Sequence, residues 1–454
     1  MKRFRSCSLD QPFLLPPSLG DWLPEGHLAR FVARVVEALD LSAILNAYAR
    51  RDGRGKAAYH PLLLVRLLVY GYAVGLRSSR RIERATYDEI PFRYLAADQH
   101  PDHATIAAFR QTHLNELARL FEQVLMLCQR AGLIKLGQIA IDGTKIAAAA
   151  SRQQSASYAK LNEREALFAA EVERLLAEAQ ATDAREDEQF GRDRRGDELP
   201  AELATAEKQL ARIRAAKQEL EREARETAEK IQREKAAQNG KPRDEAQKKR
   251  WQRGSKPEPA AKRLGNLTDP ESRMMKDGAT KRVMPAYNAQ IAADGAHQCV
   301  LACLVTQQEN DRQQLAPVLA QVEQNLQARP ALVSADGGYW NQASIVAQQQ
   351  AGYDVMVPPD GFHVWRRTAQ LPANAARGPV AEAMRERLAS PAGRQSYKRR
   401  GGIVEPVFAL IKEQRGCRRF LLRGLEKVQA EWRLLCTAVN LWRLYRYAPQ
   451  AIGA

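Results

Sequence analysis

The stretch QIAIDGTKIAAAAS, residues 138–151, sets an apolar, strand-like run against a carboxylate, Asp142, followed at once by Gly143. Far along the chain, ALVSADGGYWN, residues 331–341, repeats the design, with Asp336 followed by Gly337 and Gly338. A short continuous apolar run bounded by turn residues reads as a buried strand. Both aspartates are therefore predicted at strand ends, although Asp-Gly after an apolar run is also an ordinary turn. The repeat carries chemistry only if the fold brings the two strands together.

Working outward, MPAYNAQIAAD and HQCVLACLVT flank the turn DGA and are predicted as a hairpin. A helix around 311–328, the strand ALVSA, a helix near 341–350 and the strand YDVMVPP follow. The stretch 360–400 reads as loop-rich, with one helix around 379–389. GIVEPVFALIKEQRG, closed by Gly416, and EKVQAEWRLLCTAVNLWRLYRYA then read as an amphipathic and a strongly apolar helix. The result is an α/β, mixed-sheet core with helices on its faces. Its order is compatible with the strand at 138–142 lying beside the one that precedes Asp336.

Residues 1–130 read as an all-α N-terminal domain. LARFVARVVEALDL and PLLLVRLLVYGYAVG carry apolar residues at three- and four-residue spacing. Asp102 or Thr105 is placed to cap a helix whose apolar face runs through Phe109, Leu117, Phe121 and Leu125. Arg77, Arg80, Arg81 and Arg84 gather at a helix head, where they form either a solvated face or a DNA contact. His100 and His103 are close, but a capping loop explains them better than a metal set. Residues 158–263 read as an insertion into a core made of 131–157 and 264–454. Within it, Leu203, Leu210, Ile213, Leu220 and Ile231 follow a heptad-like pattern that Lys217 interrupts. Two long helices joined by a polar loop predict an antiparallel helical hairpin. The basic stretch GKPRDEAQKKRWQRGSKPEPAAKR reads as a mobile arm able to fold onto nucleic acid.

The chain has 454 residues and a formal net charge of +17, from 70 Lys plus Arg against 53 Asp plus Glu. That excess favours polyanionic partners, nucleic acid first. There is no secretory pattern at the start and no apolar run long enough to span a bilayer, so a cytoplasmic, nucleoid-associated protein with no membrane partner is expected. Six cysteines, at 7, 128, 299, 303, 417 and 436, show no zinc spacing and are expected to be reduced core residues.

Enzymes that cut or join nucleic acid commonly use two Mg²⁺ ions held by a few carboxylates. Asp142 and Asp336 suit such a site, and the adjacent glycines leave room for a phosphate. The third candidate is Glu405, in YKRRGGIVEPVFALIKEQRGCRRF, where it is predicted to begin a helix and so competes with a capping role. Lys412 follows by seven residues, two helical turns, and Tyr397, Arg399 and Arg400 precede it. Asp269 is read as a turn with a helix cap before Pro270, against the alternative that it supports the site from behind its ligands, and Asp311 as a plain N-cap.

On these residues the chain resembles bacterial insertion-sequence transposases of the DDE type, whose catalytic core is ribonuclease H-like. The resemblance runs through HPLLLVRLLVYGYAVGLRSSRRIE and PDHATIAAFR in the helical part. In the core it continues through IDGTKI, LTDPESRMMK, YNAQIAAD, SADGGYWN and VEPVFALIKEQRGCRRFLLRG. It implies a metal-binding triad of Asp142, Asp336 and Glu405, with Mg²⁺ as the ion and Mn²⁺ as its substitute. It also implies phosphate contacts from Lys412 with Arg399 or Arg400. Tyr397, Glu405 and Lys412 keep the spacing of a Tyr-Arg-Glu-Lys signature, but the arginine position holds Gly401. The known members place a β-rich insert between the second Asp and the Glu. Here the insert is helical and follows Asp142, so a hairpin step tied to that insert is not carried over.

The implied function is cleavage at the terminal inverted repeats and strand transfer to target DNA by a protein at least dimeric on DNA. Trp340 is a candidate for stacking on an unpaired base, against the more ordinary place of a tryptophan in the core. A catalytically inactive, transposase-derived DNA-binding protein is the alternative. A structural coiled-coil protein would leave the paired Asp-Gly runs unexplained.

Overall fold

The computed structural model describes residues 18–49, 58–190, 201–242, 245–278 and 280–451. Helices α1 (Leu28–Ala38), α2 (Ser42–Ala49), α3 (Pro61–Val74), α4 (Ser79–Asp88), α5 (Ile90–Leu95), α6 (His103–Thr112) and α7 (Leu114–Arg130) form the N-terminal part. Helix α3 starts with Pro61, whose missing N–H would have no partner in a first turn anyway. It ends at Gly75, whose φ of 84° suits glycine. Asp102 caps α6 by accepting from the Thr105 amide at 2.7 Å. His100 stacks on Tyr87, and His103 bonds Glu83. No single helix among the described residues is long and apolar enough to cross a membrane. The apolar circumference of α3 is spent on the core, with Leu64, Leu67, Leu68 and Tyr72 buried.

The sheet contains β1 (Gln138–Ala147), β4 (Arg273–Lys276), β5 (Val283–Asp294), β6 (Val300–Thr306), β7 (Leu332–Ala335) and β8 (Val355–Met356). The strands run β5-β1-β7-β8, with β4 and β6 pairing successive parts of the outer edge of β5. Pairs β1–β5 and β5–β6 are antiparallel, whereas β1–β7 and β7–β8 are parallel. This mixed α/β arrangement is consistent with a ribonuclease H-like core. Strand β1 is twice the length expected, continuing through Gly143 to Ala147 because β5 goes on pairing with it after β7 has ended. The open edge of β6 is covered by side-chain amides. Asn440 bonds both backbone groups of Val300, Gln429 bonds Val305 and Cys303, and Gln321 bonds Cys303.

Helices α11 (Leu315–Leu326), α12 (Gln342–Gln350), α13 (Phe362–Thr368), α14 (Pro379–Ala389), α15 (Pro391–Ala409) and α16 (Leu425–Tyr447) complete the core. Residues 391–400 are helical rather than loop. Glu405 therefore lies deep inside α15 and cannot cap its start. Helix α16 packs on β6 on one side and on α3 and α7 on the other. Trp432, Leu435 and Val439 join Phe121, Val124 and Leu125 in one continuous apolar cluster.

A buried ion pair crosses the same junction. Arg77 Nη1 stands 2.9 Å from Glu431 Oε1, and Arg77 also donates to the Arg419 carbonyl. Glu431 accepts the Leu421 and Leu422 amides as well. Burial pushes its carboxyl above the ordinary range, against Arg77 and those amides. Arg77 is thus a structural residue, unlike its exposed neighbours Arg80 and Arg81.

A small ribbon, β2 (Ser155–Ser157) with β3 (Leu264–Asn266), roots the insertion. From it α8 (Tyr158–Phe190) and α9 (Ala201–Ala237) run antiparallel, as the Tyr158–Glu221 and Glu165–Lys217 bonds show. All five heptad-like residues of α9 are buried, each contributing roughly 1.5–3 kcal/mol. Lys217 breaks the pattern because it reaches Glu165. The expected mobile arm is instead partly helical. Helix α10 (Glu245–Gly254) folds back on α9 and buries Trp251, since its indole can satisfy its N–H on Glu234. Cys128, Cys299, Cys303, Cys417 and Cys436 are free and buried, and Cys7 lies outside the described residues.

Replacing Arg77 by leucine leaves the Glu431 carboxyl buried without its cation. We expect unfolding free energy to fall by about 3 kcal/mol in urea titrations. A loss below about 1 kcal/mol would show that the pair does not hold the helical part to the core.

Candidate active site

The site begins with the parallel pairing of β1 and β7. Ile141 faces Ala335 in the last paired position, so Asp142 and Asp336, one step further on, stand side by side where β7 ends. The two are joined by a register, although almost two hundred residues separate them in the chain. Asp142 Oδ1 accepts the Gly143 amide at 2.8 Å, and Asp336 Oδ1 accepts the Gly338 amide at 2.9 Å. Each aspartate therefore does form the ordinary local turn bond, and each keeps a second oxygen for other work.

The outer oxygen of Asp142 faces α15, where Arg400 Nη1 bonds it at 3.1 Å; their side chains are 17% and 20% exposed. The Arg400 guanidinium also lies 5.8 Å from the Tyr397 ring centre, a cation–π contact that steadies it. Burial and then the neighbouring Asp336 charge push Asp142 up to about 6, in spite of Arg400. Burial also raises Asp336, with Arg400 opposing and Asp311 adding to the shift. Two half-buried carboxylates with one shared arginine form a site short of positive charge.

The other expected residues fall at different distances from this pair. Arg399 is exposed, so Arg400 is the arginine that enters the site. Lys412 is half-buried and donates to the Lys145 carbonyl at 3.2 Å; burial lowers its pKa. It lies in a π-helical turn, Leu410–Gln414, just after Pro406, whose missing amide loosens the end of α15. Glu405 lies on the same helix as Arg400 but is exposed and folds back over Gly401, with no hydrogen bond or ion pair to the described residues. Among the described residues no three His, Cys, Asp or Glu side chains converge as a ready metal cage. Trp340 is 3% exposed and belongs to the core, which corrects its reading as a stacking platform in this conformation. Arg80 and Arg81 are exposed on α4, a helix packed on α3, α5 and α6.

Several residues escape sequence reasoning. Asp311 does not cap α11. Gln314 holds that position, and the Asp311 side chain instead accepts from Asn288 and Gln290 on β5. Gln290 in turn accepts from the buried Tyr339 hydroxyl. Asp269 precedes a turn into β4 rather than a helix, and its carboxylate takes the Tyr287 hydroxyl at 2.8 Å and the Gly424 amide at 3.2 Å. Beyond the far end of β1, a cleft of about 900 Å³ is lined by Arg152, Lys281, Arg282, Arg419 and Arg423, with no carboxylate. These cations come from three separate segments, so only the fold assembles them.

A nucleic-acid-processing enzyme is the class that an acidic strand-end pair beside a basic cleft defines. Two family models match the chain: the transposase domain DUF772 over residues 17–112 and the transposase DDE domain over residues 270–441. With both domains present in order, the chain belongs to the DDE transposases of insertion-sequence type. The DDE match takes in Asp336 and Glu405 but begins after Asp142, which enters the site on the β1–β7 register. No curated protein and no solved structure matches the chain.

The raised Asp142 has a thermodynamic consequence in the metal-free protein. Its folded pKa of about 6 exceeds the ordinary aspartate value of 3.8, so stability present below the unfolded value is lost as pH rises through 6. Asp142→Asn should raise urea stability in EDTA at pH 8 by about 1–3 kcal/mol, with the gain vanishing near pH 4. A gain independent of pH would contradict this assignment.

Proposed function

We propose that the protein cleaves DNA at the terminal inverted repeats of its own element and joins the freed ends to target DNA, using divalent cations. The single observation that carries this reading is the Asp142–Asp336 juxtaposition at the ends of two adjacent parallel strands. The donors fit the ion. Two hard oxygen ligands, both raised in pKa by burial, Asp142 also by Asp336 and Asp336 also by Asp311, suit Mg²⁺, and Gly143 and Gly338 keep side-chain volume away from them. Asp142 and Asp336 would hold the cations, and Glu405 would complete their ligand set. When bound, Mg²⁺ or Mn²⁺ supplies Lewis-acid charge at the scissile phosphate.

The protein's own residues do the positioning. Arg400 neutralises Asp142 in the metal-free state and is the nearest group able to grip a phosphate once that carboxylate has a cation of its own. Lys412 stands further along β1 on the same helical segment, and Glu405 lies between the two in sequence. Small rotations at the π-helical turn and Pro406 are the means by which Glu405 would approach the pair. Water attacks the phosphorus and the bond to the 3′ oxygen breaks, freeing a 3′ hydroxyl. That hydroxyl then attacks a phosphate of target DNA, forming a new phosphodiester as the old one breaks, with no covalent protein intermediate. The basic cleft and the exposed Arg80 and Arg81 supply sequence-independent phosphate contacts. Both element ends must be held together, so the protein acts as a dimer or larger assembly on DNA.

An excision assay with the DNA flanks of the reading frame tests this reading. Wild type should excise in Mg²⁺ or Mn²⁺, while Asp142→Asn, Asp336→Asn and Glu405→Gln should each lose at least about a hundredfold. Retained DNA binding with no metal-dependent cleavage by wild type would identify a DNA-binding protein without catalysis. Separately, Lys281→Ala with Arg282→Ala should reduce the slope of log affinity against log salt by about one to two. An unchanged slope would remove the cleft from the DNA path.

A further inference from the structure

We propose that Asp311 is an additional acidic member of the divalent-cation site, its free carboxylate oxygen lying beside Asp336 to share the ion which that pair attracts. This inference rests on the cation reading of Asp142 and Asp336 and extends it to a residue outside the expected triad.

Asp311 lies between β6 and α11, and one of its oxygens is firmly anchored. Asn288 Nδ2 donates to Oδ1 at 2.6 Å, Gln290 Nε2 at 2.7 Å, and Lys145 Nζ stands 3.5 Å away. The anchors come from the two central strands, since Lys145 pairs with Asn288 and Gly143 with Gln290 in the β1–β5 register. Such convergence fixes where the second oxygen goes. Oδ2 accepts no hydrogen bond from the described residues and lies 3.6 Å from the point where a β-carbon on Gly338 would stand; Asp336 Oδ1 lies 3.0 Å from the same point. At Gly143 a β-carbon would come within 2.9 Å of Asp311 Oδ1 and collide with Gln290 Nε2. Gly338 thus keeps clear a small space bounded by Asp311 and Asp336, while Gly143 makes room for the Gln290 amide that anchors Asp311.

The charges agree with the geometry. Among the described residues, Asp142, Asp336 and Asp311 have Arg400 and Lys145 as their neighbouring cations, which leaves one negative charge uncompensated at a largely shielded place. A divalent cation reverses that imbalance, and its preferred ligands are carboxylate oxygens. Asparagine at 311 would still accept from Asn288 and Gln290 through its amide oxygen, so the change removes the charge and the ion pair with Lys145 while keeping both amide hydrogen bonds.

The test is Mn²⁺ binding to the full-length protein without DNA, read by electron paramagnetic resonance of free Mn²⁺. Asp311→Asn should weaken binding about tenfold while leaving the thermal melt of the metal-free protein in place. Asp142→Asn serves as the control for the underlying reading and should weaken it at least as much. Unchanged affinity in Asp311→Asn with loss in Asp142→Asn would overturn the role of Asp311 alone. No effect of either change would overturn the cation reading, and the Asp311 inference with it. Should Asp311→Asn fail to fold, the wild-type protein gives a second measurement. Fe²⁺ with ascorbate and peroxide should cut the backbone around 307–314 as well as around 142 and 336. Cuts only at the latter two would overturn the proposal.

Discussion

The structure turns on a repulsion. Two carboxylates that would separate in water are held together because β1 and β7 pair in parallel and end their ladder one residue before Asp142 and Asp336. The backbone register sets the spacing, so the aspartates cannot relieve it by moving apart without breaking strand hydrogen bonds. Arg400 reaches the pair from α15, and its position depends on that helix lying along β1. In this arrangement Arg400 bonds Asp142, while Glu405, on the same helix, is exposed.

The helical N-terminal part is fastened to this core through α16 rather than tethered to it. One apolar cluster spans both, and the Arg77–Glu431 pair is buried where they meet. Gly75 ends α3 against the Arg415 backbone, where a β-carbon would stand 2.9 Å from the Arg415 carbonyl oxygen. Arg415 directly follows the π-helical turn that carries Lys412. The helical part is therefore packed directly against the segment that follows Arg400, Glu405 and Lys412. The insertion is fastened as well. Arg273, almost fully buried at the root of the hairpin, bonds Glu219 of α9, so α9 and β4 move as one body.

Much of the arrangement was legible in the sequence because it is written in local patterns. The apolar runs at 138–141 and 331–335, the hairpin around Gly295 and the α9 stripe all follow from side-chain period, and each took the structure its period implied. What failed did so for local reasons too. The glycine pair Gly401 and Gly402 looks like a helix start, yet α15 begins at Pro391 and runs through it because tertiary contacts with β1 and β5 outweigh propensity. The basic arm near Trp251 folds because one aromatic ring found an apolar groove and a carboxylate. Asp311 resembled a cap, since helix starts and acidic residues ordinarily go together. Its anchoring by Asn288, Gln290 and Lys145 involves residues whose meeting only the β1–β5 register determines.

The central claim is that Arg400 stands in for a cation at a carboxylate pair built for one. A structure of the protein on an element-end DNA with Mn²⁺, read by anomalous scattering, tests it directly. The expected result is metal density on Asp142 and Asp336, with Arg400 withdrawn from Asp142 and placed on a backbone phosphate. Arg400 still bonded to Asp142, with no metal density at the pair, would contradict it.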